Sequence, residues 1–291
     1  MRRRLQTTLA GAFGGALMIA PAAAAEAEKV WETEGLQTPE SALYDDERDV
    51  LYVSNVAGSP TEKDGQGFIS RVSPEGEMVE AEWVSGLNAP KGLGLHEGTL
   101  YVADIDRLVA IDVETGEVSA EHEGQGAKFL NDVTVDGQGS VYVSDMAANA
   151  IYRLEGDSFG IWVQDEALES PNGLFAEEDR IVVGSWGVMT DGFATKVPGH
   201  LKAVGLESKE ISSIGSGEAV GNLDGVEAIS EGTYLATDWA GGALFLIDSS
   251  GKAEQLLDLD QGSADLAYRA DEKLAIVPMM NDNKLVAYRI Q

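Results

Sequence analysis

The chain has 291 residues, enough for a sizeable core, and carries 50 acidic against 20 basic residues, a formal net charge of −30, with no cysteine. So acidic a chain is repelled by nucleic acid and by anionic membrane surfaces, and most of its carboxylates are expected on a solvated face. Without cysteine it has no disulfide, no thiolate metal ligand and no cysteine nucleophile.

In chain order, Arg2, Arg3 and Arg4 precede an apolar stretch from Leu9 to Ala20, and Ala23-Ala24-Ala25 offers a small-residue cleavage site. This predicts a secretory leader over 1–25 and a periplasmic or secreted protein whose remaining residues, 26–291, form a single domain. Export by the general secretory route is expected, with the twin-arginine route as the alternative. No other run is long enough to span a bilayer, so membrane insertion is not expected.

Beyond the leader one short β-rich run recurs six times: Leu51 to Asn55, Leu100 to Asp104, Val141 to Asp145, Ile181 to Ser185, Tyr234 to Asp238 and Leu274 to Pro278. With Tyr52, Tyr101, Tyr142, Val182, Leu235 and Ala275 as equivalents, the spacings are 49, 41, 40, 53 and 40 residues. That is the period of a four-stranded propeller blade, so the predicted fold class is all-β, a six-bladed β-propeller with four-stranded antiparallel blades. Segments opening on Trp31, Trp83 and Trp162 and reaching Pro39, Pro90 and Pro171 read as an outer strand, a proline-closed turn and the start of the next inner strand. Pro74-Glu75-Gly76, Glu114-Thr115-Gly116 and Ser249-Ser250-Gly251 read as hairpin turns. The last blade has only three strands of its own, and Lys29 to Thr33 is predicted to supply the fourth beside Leu285 to Arg289, closing the ring and removing a sheet edge.

The residues opening the six inner strands are predicted to converge on the central channel: Glu40, Lys91, Asn131, Asn172, Asp224 and Asp265. Two carboxylates, Glu40 and Asp224, with two amide carbonyls, Asn131 and Asn172, make a hard oxygen set matched to Ca²⁺; another divalent metal is the alternative. Taken singly, Asn172-Gly173 and Asp224-Gly225 read as turn dipeptides and Asn131-Asp132 as a local cap. Their shared register in separate blades is what favours a site.

The segments Glu40-Ser41-Ala42-Leu43-Tyr44-Asp45, Phe129-Leu130-Asn131-Asp132, Ser170-Pro171-Asn172-Gly173-Leu174 and Leu223-Asp224-Gly225-Val226 resemble, in order and spacing, the motifs of the gluconolactonase and regucalcin (senescence marker protein) family of six-bladed propellers. The resemblance implies a divalent metal, usually calcium, bound by Glu40, Asn172 and Asp224, with Asn131 as a fourth ligand or a substrate contact. At Phe129 the chain departs from the lactonases of that family, which carry an arginine there to hold a sugar acid, and this speaks against a sugar-lactone substrate. Glu227 and Asp265 fall where a related fluorophosphatase type holds a second, structural calcium. A satisfied polar pair or a buried water is the first reading of those two residues, with a second metal as the alternative.

These readings predict a metal-dependent lactonase or esterase-like hydrolase acting on a small-molecule lactone or ester, in which Asp224 is the first choice as base and Asp132 the second, as base or substrate contact. Phe129, Trp186, Trp239 and His200 are the expected substrate-facing residues, and 187–199 the expected lid. No Gly-x-Ser-x-Gly elbow is present, so serine acyl chemistry has no support. The competing reading is a non-catalytic exported propeller that holds a ligand or a protein; a quinoprotein is a distant third, because no basic cluster suits an anionic quinone. A monomer is expected.

Overall fold

The computed structural model describes residues 27–291, so the expected leader lies outside the described residues. It is a ring of six four-stranded antiparallel sheets. From channel to rim, the first blade runs Pro39–Asp45, Val50–Asn55, Gly67–Val72 and Met78–Leu87, and the second Pro90–His96, Thr99–Asp104, Arg107–Asp112 and Val118–Glu123. The third runs Leu130–Val135, Val141–Asp145, Ala150–Glu155 and Ser158–Gln164, and the fourth Pro171–Ala176, Arg180–Ser185, Leu201–Gly205 and Ile211–Ser213. The fifth has Leu223–Ser230, Thr233–Asp238, Ala243–Asp248 and Ala253–Asp258. The sixth combines Ala267–Arg269, Leu274–Met279 and Lys284–Ile290 with Ala27–Glu34 from the other end of the chain. Helix among the described residues is confined to two 3-10 turns, Glu166–Leu168 and Met280–Asp282, and none is long and apolar enough to cross a membrane.

Ring closure follows the expected pairing, with Lys29 opposite Tyr288, Trp31 opposite Ala287 and Thr33 opposite Leu285. It is reinforced at the channel, where the inner segments of blades six and one bond directly: Asp265 N–H donates to Glu40 O at 2.9 Å and Ala42 N–H to Asp265 O at 3.2 Å. The core lies between blades rather than within one. Tyr52 and Ile69 of blade 1 pack on Leu100, Val102 and Val109 of blade 2, and the pattern repeats around the ring. The outer-strand tryptophans brace it, Trp83 against Tyr52 at 5.1 Å between centroids and Trp162 against Tyr142 at 5.0 Å. Trp31 lies over the hairpin turn at Gly76, whose φ of +87° and lack of side chain leave room for the indole.

Five inner strands share one irregularity. Pro39 pairs Asn55 but Ala42 pairs Val53, so two residues, Glu40 and Ser41, oppose the single Ser54; the same slip occurs after Pro90, Leu130, Pro171 and Leu223. Each slip is a β-bulge, which withdraws an amide from the ladder. In three blades a hydroxyl of the second strand takes that amide: Ser41 N–H donates to Ser54 Oγ at 2.9 Å, Asp132 N–H to Ser144 Oγ at 2.9 Å and Gly225 N–H to Thr237 Oγ1 at 2.9 Å. The next residue of each recurring run, Asn55, Asp104, Asp145 or Asp238, accepts amides of the loop leading into the inner strand.

Two outcomes are expected. Deleting the chain before Gln37 should destabilise the ring by roughly 3 kcal/mol or more and lower Tm by about 6 °C or more, because a full strand of pairing is lost; an unchanged calorimetric midpoint would exclude this closure. Ser144→Ala should cost about 1–2 kcal/mol in denaturant titration by orphaning the buried Asp132 amide, whereas a neutral effect would show that the bulge does not need the hydroxyl.

Candidate functional site

The bulge sets the site. By placing two residues against one, it turns the second residue of each inner strand toward the axis, and Glu40, Lys91, Asn131, Asn172 and Asp224 together line one cavity of about 190 Å³. All five are buried. Glycine follows three of them, because neighbouring inner strands pass too closely for a side chain. A Cβ on Gly173 would collide with the Asp224 carbonyl, and one on Gly225 with the backbone at Asp265 and Leu266. Asn172-Gly173 and Asp224-Gly225 are thus strand dipeptides chosen for close approach, and the turn reading is corrected.

Asn172 and Asp224 stand side by side, the amide Nδ2 donating to Asp224 Oδ2 at 3.0 Å. Asn131 Nδ2 rests on Met146 Sδ at 2.9 Å, which leaves its amide oxygen available to the cavity. Glu40 Oε2 is buried with no hydrogen-bond partner, an orphaned acceptor of the kind that marks a missing cation or water. Among the described residues no three His, Cys, Asp or Glu side chains are grouped as a metal cluster; the convergent oxygens are two carboxylates and two amides. That donor chemistry fits a hard divalent cation.

The sixth position differs from expectation. Ser263 pairs Met279 as Pro39 pairs Asn55, so the blade-six counterpart of Glu40 is Ala264, and Asp265 falls one residue further on, in register with Ser41 and Asp132. The reason is the bulge itself: one step along a bulged strand moves a side chain to another tier of the channel. Asp265 therefore joins Asp132 and Glu227 on a second, larger cavity of about 780 Å³. Asp132 lines this second cavity and not the first. Its oxygens accept the amides of Val133 and, from the next blade, Leu174, so it ties blades three and four together. Asp265 accepts from Ser41 Oγ.

Burial dominates the electrostatics. Glu40 and Asp224 are pushed well above the usual carboxylate range first by desolvation and then by neighbouring carboxylates, Asp224 and Asp265 acting on Glu40, and Asp265 on Asp224. Asp132 moves the same way, through desolvation and then Asp265. Desolvation pushes Glu227 up to about 8 and Asp265 up to about 7. Lys91 is drawn down to about 8 by burial, against the opposing pull of Glu40 and Asp104.

An apolar cap covers the first cavity. Phe129, Trp186 and Trp239 line it. The expected lid is a hairpin, Gly187–Met189 against Thr195–Pro198, whose tip brings Phe193 within 5.4 Å of Phe129 and 6.4 Å of Trp186 between centroids. Trp186 Nε1 donates to Phe193 O at 2.8 Å, and Trp239 lies 6.0 Å from Trp186. His200 does not face the cavity, correcting the expectation. It precedes the third strand of its blade rather than an inner one, and its Nε2 bonds Ser213 Oγ at 2.8 Å near the rim. Phe193, Met146, Met280 and Pro60 complete the lining and were not foreseen, since all lie outside the repeating unit's inner strands.

A six-bladed propeller whose channel holds a ring of carboxylates and amides under an apolar lid defines a class of small-molecule sites. The chain belongs to the SMP-30/Gluconolactonase/LRE-like family, whose model matches residues 38–264. Among solved structures it is similar to a gluconolactonase from Xanthomonas campestris, at 14% identity, TM-score 0.65, and coverage of 92% of this chain and 90% of that one. It is also similar to virginiamycin B lyase from Staphylococcus aureus, at 14% identity, TM-score 0.61, and coverage of 91% and 100%. The Pan2 WD40 domain of Neurospora crassa aligns at 12% identity, TM-score 0.58, over 90% and 95%. At such identities these likenesses show the fold alone. No curated protein sequence matches the chain.

The two part-buried carboxyls on the larger cavity, Asp265 and Glu227, predict a pH dependence. A folded-state value raised above the unfolded one stabilises the fold at low pH, and that stabilisation is withdrawn as pH rises through the folded value. With Asp265 at about 7 and Glu227 at about 8, protein held in chelator should melt at progressively lower temperature from pH 5 to pH 8.5, each group contributing up to about 1.4 kcal/mol per pH unit. Glu227→Gln should flatten the profile; an identical slope in that variant would assign the effect to the surface charge instead.

Proposed function

We propose that the protein is an exported, calcium-dependent hydrolase of the lactonase or esterase type, acting on a small-molecule lactone or ester in the lidded cavity. The observation that carries this reading is the orphaned buried oxygen of Glu40 in a ring whose other oxygen donors are Asn131, Asn172 and Asp224. Hard oxygen ligands without sulfur or imidazole suit calcium, with another divalent cation as second choice. Glu40, Asn172 and Asp224 would hold the ion, and Asn131 is a fourth ligand or a substrate contact. When bound, such a cation polarises a carbonyl or phosphoryl oxygen.

The chain's own residues supply the rest. Asp224 is the base: Asn172 fixes one carboxylate oxygen, and the other is left to take a proton from attacking water. Asn131, steadied on Met146, orients the substrate. Trp186, Trp239 and Phe193 receive its apolar part and exclude bulk water, which strengthens each electrostatic contact inside. The leader expected over 1–25 supports delivery to the periplasm or outside the cell, and the charge of −30 supports a protein that avoids nucleic acid. A monomer remains part of the proposal. The second reading, a ligand-holding propeller without turnover, is favoured by the small volume and apolar cap of the cavity.

The two readings separate experimentally. Protein dialysed against chelator and reloaded with calcium should regain hydrolysis across a panel of lactones, aryl esters and phosphotriesters. Asp224→Asn should weaken calcium binding roughly tenfold or more in calorimetric titration and abolish turnover while leaving the thermal midpoint nearly unchanged. Unaltered calcium affinity in that variant would remove Asp224 from the site, and calcium binding without turnover of any panel member would leave the binding propeller.

A further inference from the structure

Lys91 is a buried cation without a counter-ion. It enters the ring at the second residue of the blade-two inner strand, is 2% exposed, and lines the lidded cavity. Its ammonium donates to two neutral carbonyls, Pro60 O at 3.2 Å and Ala89 O at 2.9 Å, and lies 4.6 Å above the centre of the Phe129 ring. Among the described residues no carboxylate pairs with it. Of the two acids that act on it through space, Glu40 lines the same cavity but makes no hydrogen bond or ion pair with it, and Asp104 is committed to Arg107 at 2.8 Å and to the amides of Asn88 and Ala89. Buried charges are normally paired, because desolvation of an ammonium is expensive, and an ammonium has three donors of which two are used here.

We propose that Lys91 is the specificity residue of this cavity, binding the carboxylate of an apolar, aromatic or branched acid whose body lies among Phe129, Trp186, Phe193 and Trp239. The proposal rests on the cavity being the substrate site and extends it by naming the charge and shape of the ligand. Phe129 presents its π face to the ammonium, holding it in place without neutralising it, and the aromatic residues offer a molecule of modest size the remaining contact. Glu40 and Asp224 do not forbid an anion here. A dication held between them would offset their charge. The two carbonyls fix the ammonium's position and leave one of its three donors for the ligand's acid group.

The test uses 3-phenylpropionate and its neutral isostere 3-phenylpropionamide, titrated by calorimetry and by Trp fluorescence with and without calcium chloride. Wild-type protein should bind the acid at least about tenfold more tightly than the amide. Lys91→Met, which removes a buried charge and should not lower the thermal midpoint, should lose that preference while holding the amide within about twofold. Equal binding of acid and amide by the wild type, no binding of the acid, or an acid preference that survives in Lys91→Met overturns the assignment. The hydrolase reading stands or falls separately. Lys91-dependent acid binding with no turnover of any lactone or ester keeps the anchor and ends the hydrolase, and turnover of neutral lactones with no acid preference does the reverse.

Discussion

The bulge at the start of the inner strands is the constraint on which the site depends. A regular antiparallel ladder would send alternate side chains into the spaces between blades, where Leu51, Val53 and their equivalents already pack. Two residues set against one break that alternation and free a side chain for the channel without altering the strands behind it. The cost is an unpaired amide in a dry place. Ser54, Ser144 and Thr237 remove that cost in three blades, and Asn55, Asp104, Asp145 and Asp238 anchor the approaching loops. The paired polar residues that end the recurring run are therefore scaffolding, and they hold the ring residues in position.

That scaffolding allows an unfavourable concentration of charge. Glu40, Asp132, Asp224, Glu227 and Asp265 crowd one axis, with Lys91 the cation among the ring residues. Desolvation is the first cause of each carboxyl's displacement, ahead of mutual repulsion. Such groups persist because apolar packing between all six blades over-determines the backbone that carries them.

The fold was legible because the bulge leaves a periodic trace. The (Ser/Thr)-(Asn/Asp) ending repeats at blade spacing in the first, third and fifth blades, since the same amides must be satisfied there, and Glu40, Asn131 and Asp224 could be found by counting back from it, whereas Asn172 followed from the blade spacing alone. Asp265 was misplaced by one residue because blade six has no such ending: Pro278 and Met279 stand where the first, third and fifth blades carry Ser-Asn, Ser-Asp and Thr-Asp, so nothing marked the register. His200 stays away from the cavity because the lid separates the second and third strands of blade four and leaves it at the start of that third strand, on the side toward the rim. Phe193 and Met280 left no trace in the repeat, because they reach the cavity from a hairpin tip and a 3-10 turn whose course depends on tertiary contacts.

Those two residues reach the cavity through the connections between strands. The segments joining second to third strands project at the mouth above the ring. Their lengths vary freely because they form no part of the blades. In blade two the connection is only Ile105 and Asp106, whereas in blade one it runs from Val56 to Gln66 and contributes Pro60, whose carbonyl steadies Lys91, and in blade four it is the lid that delivers Phe193. The oxygen ring is fixed by register, and so are the chemical steps it can support. The apolar cap and the placement of the lone ammonium are set by these connections instead. A change in one loop could therefore alter what enters the cavity while leaving the Asn172–Asp224 contact and its neighbours in place.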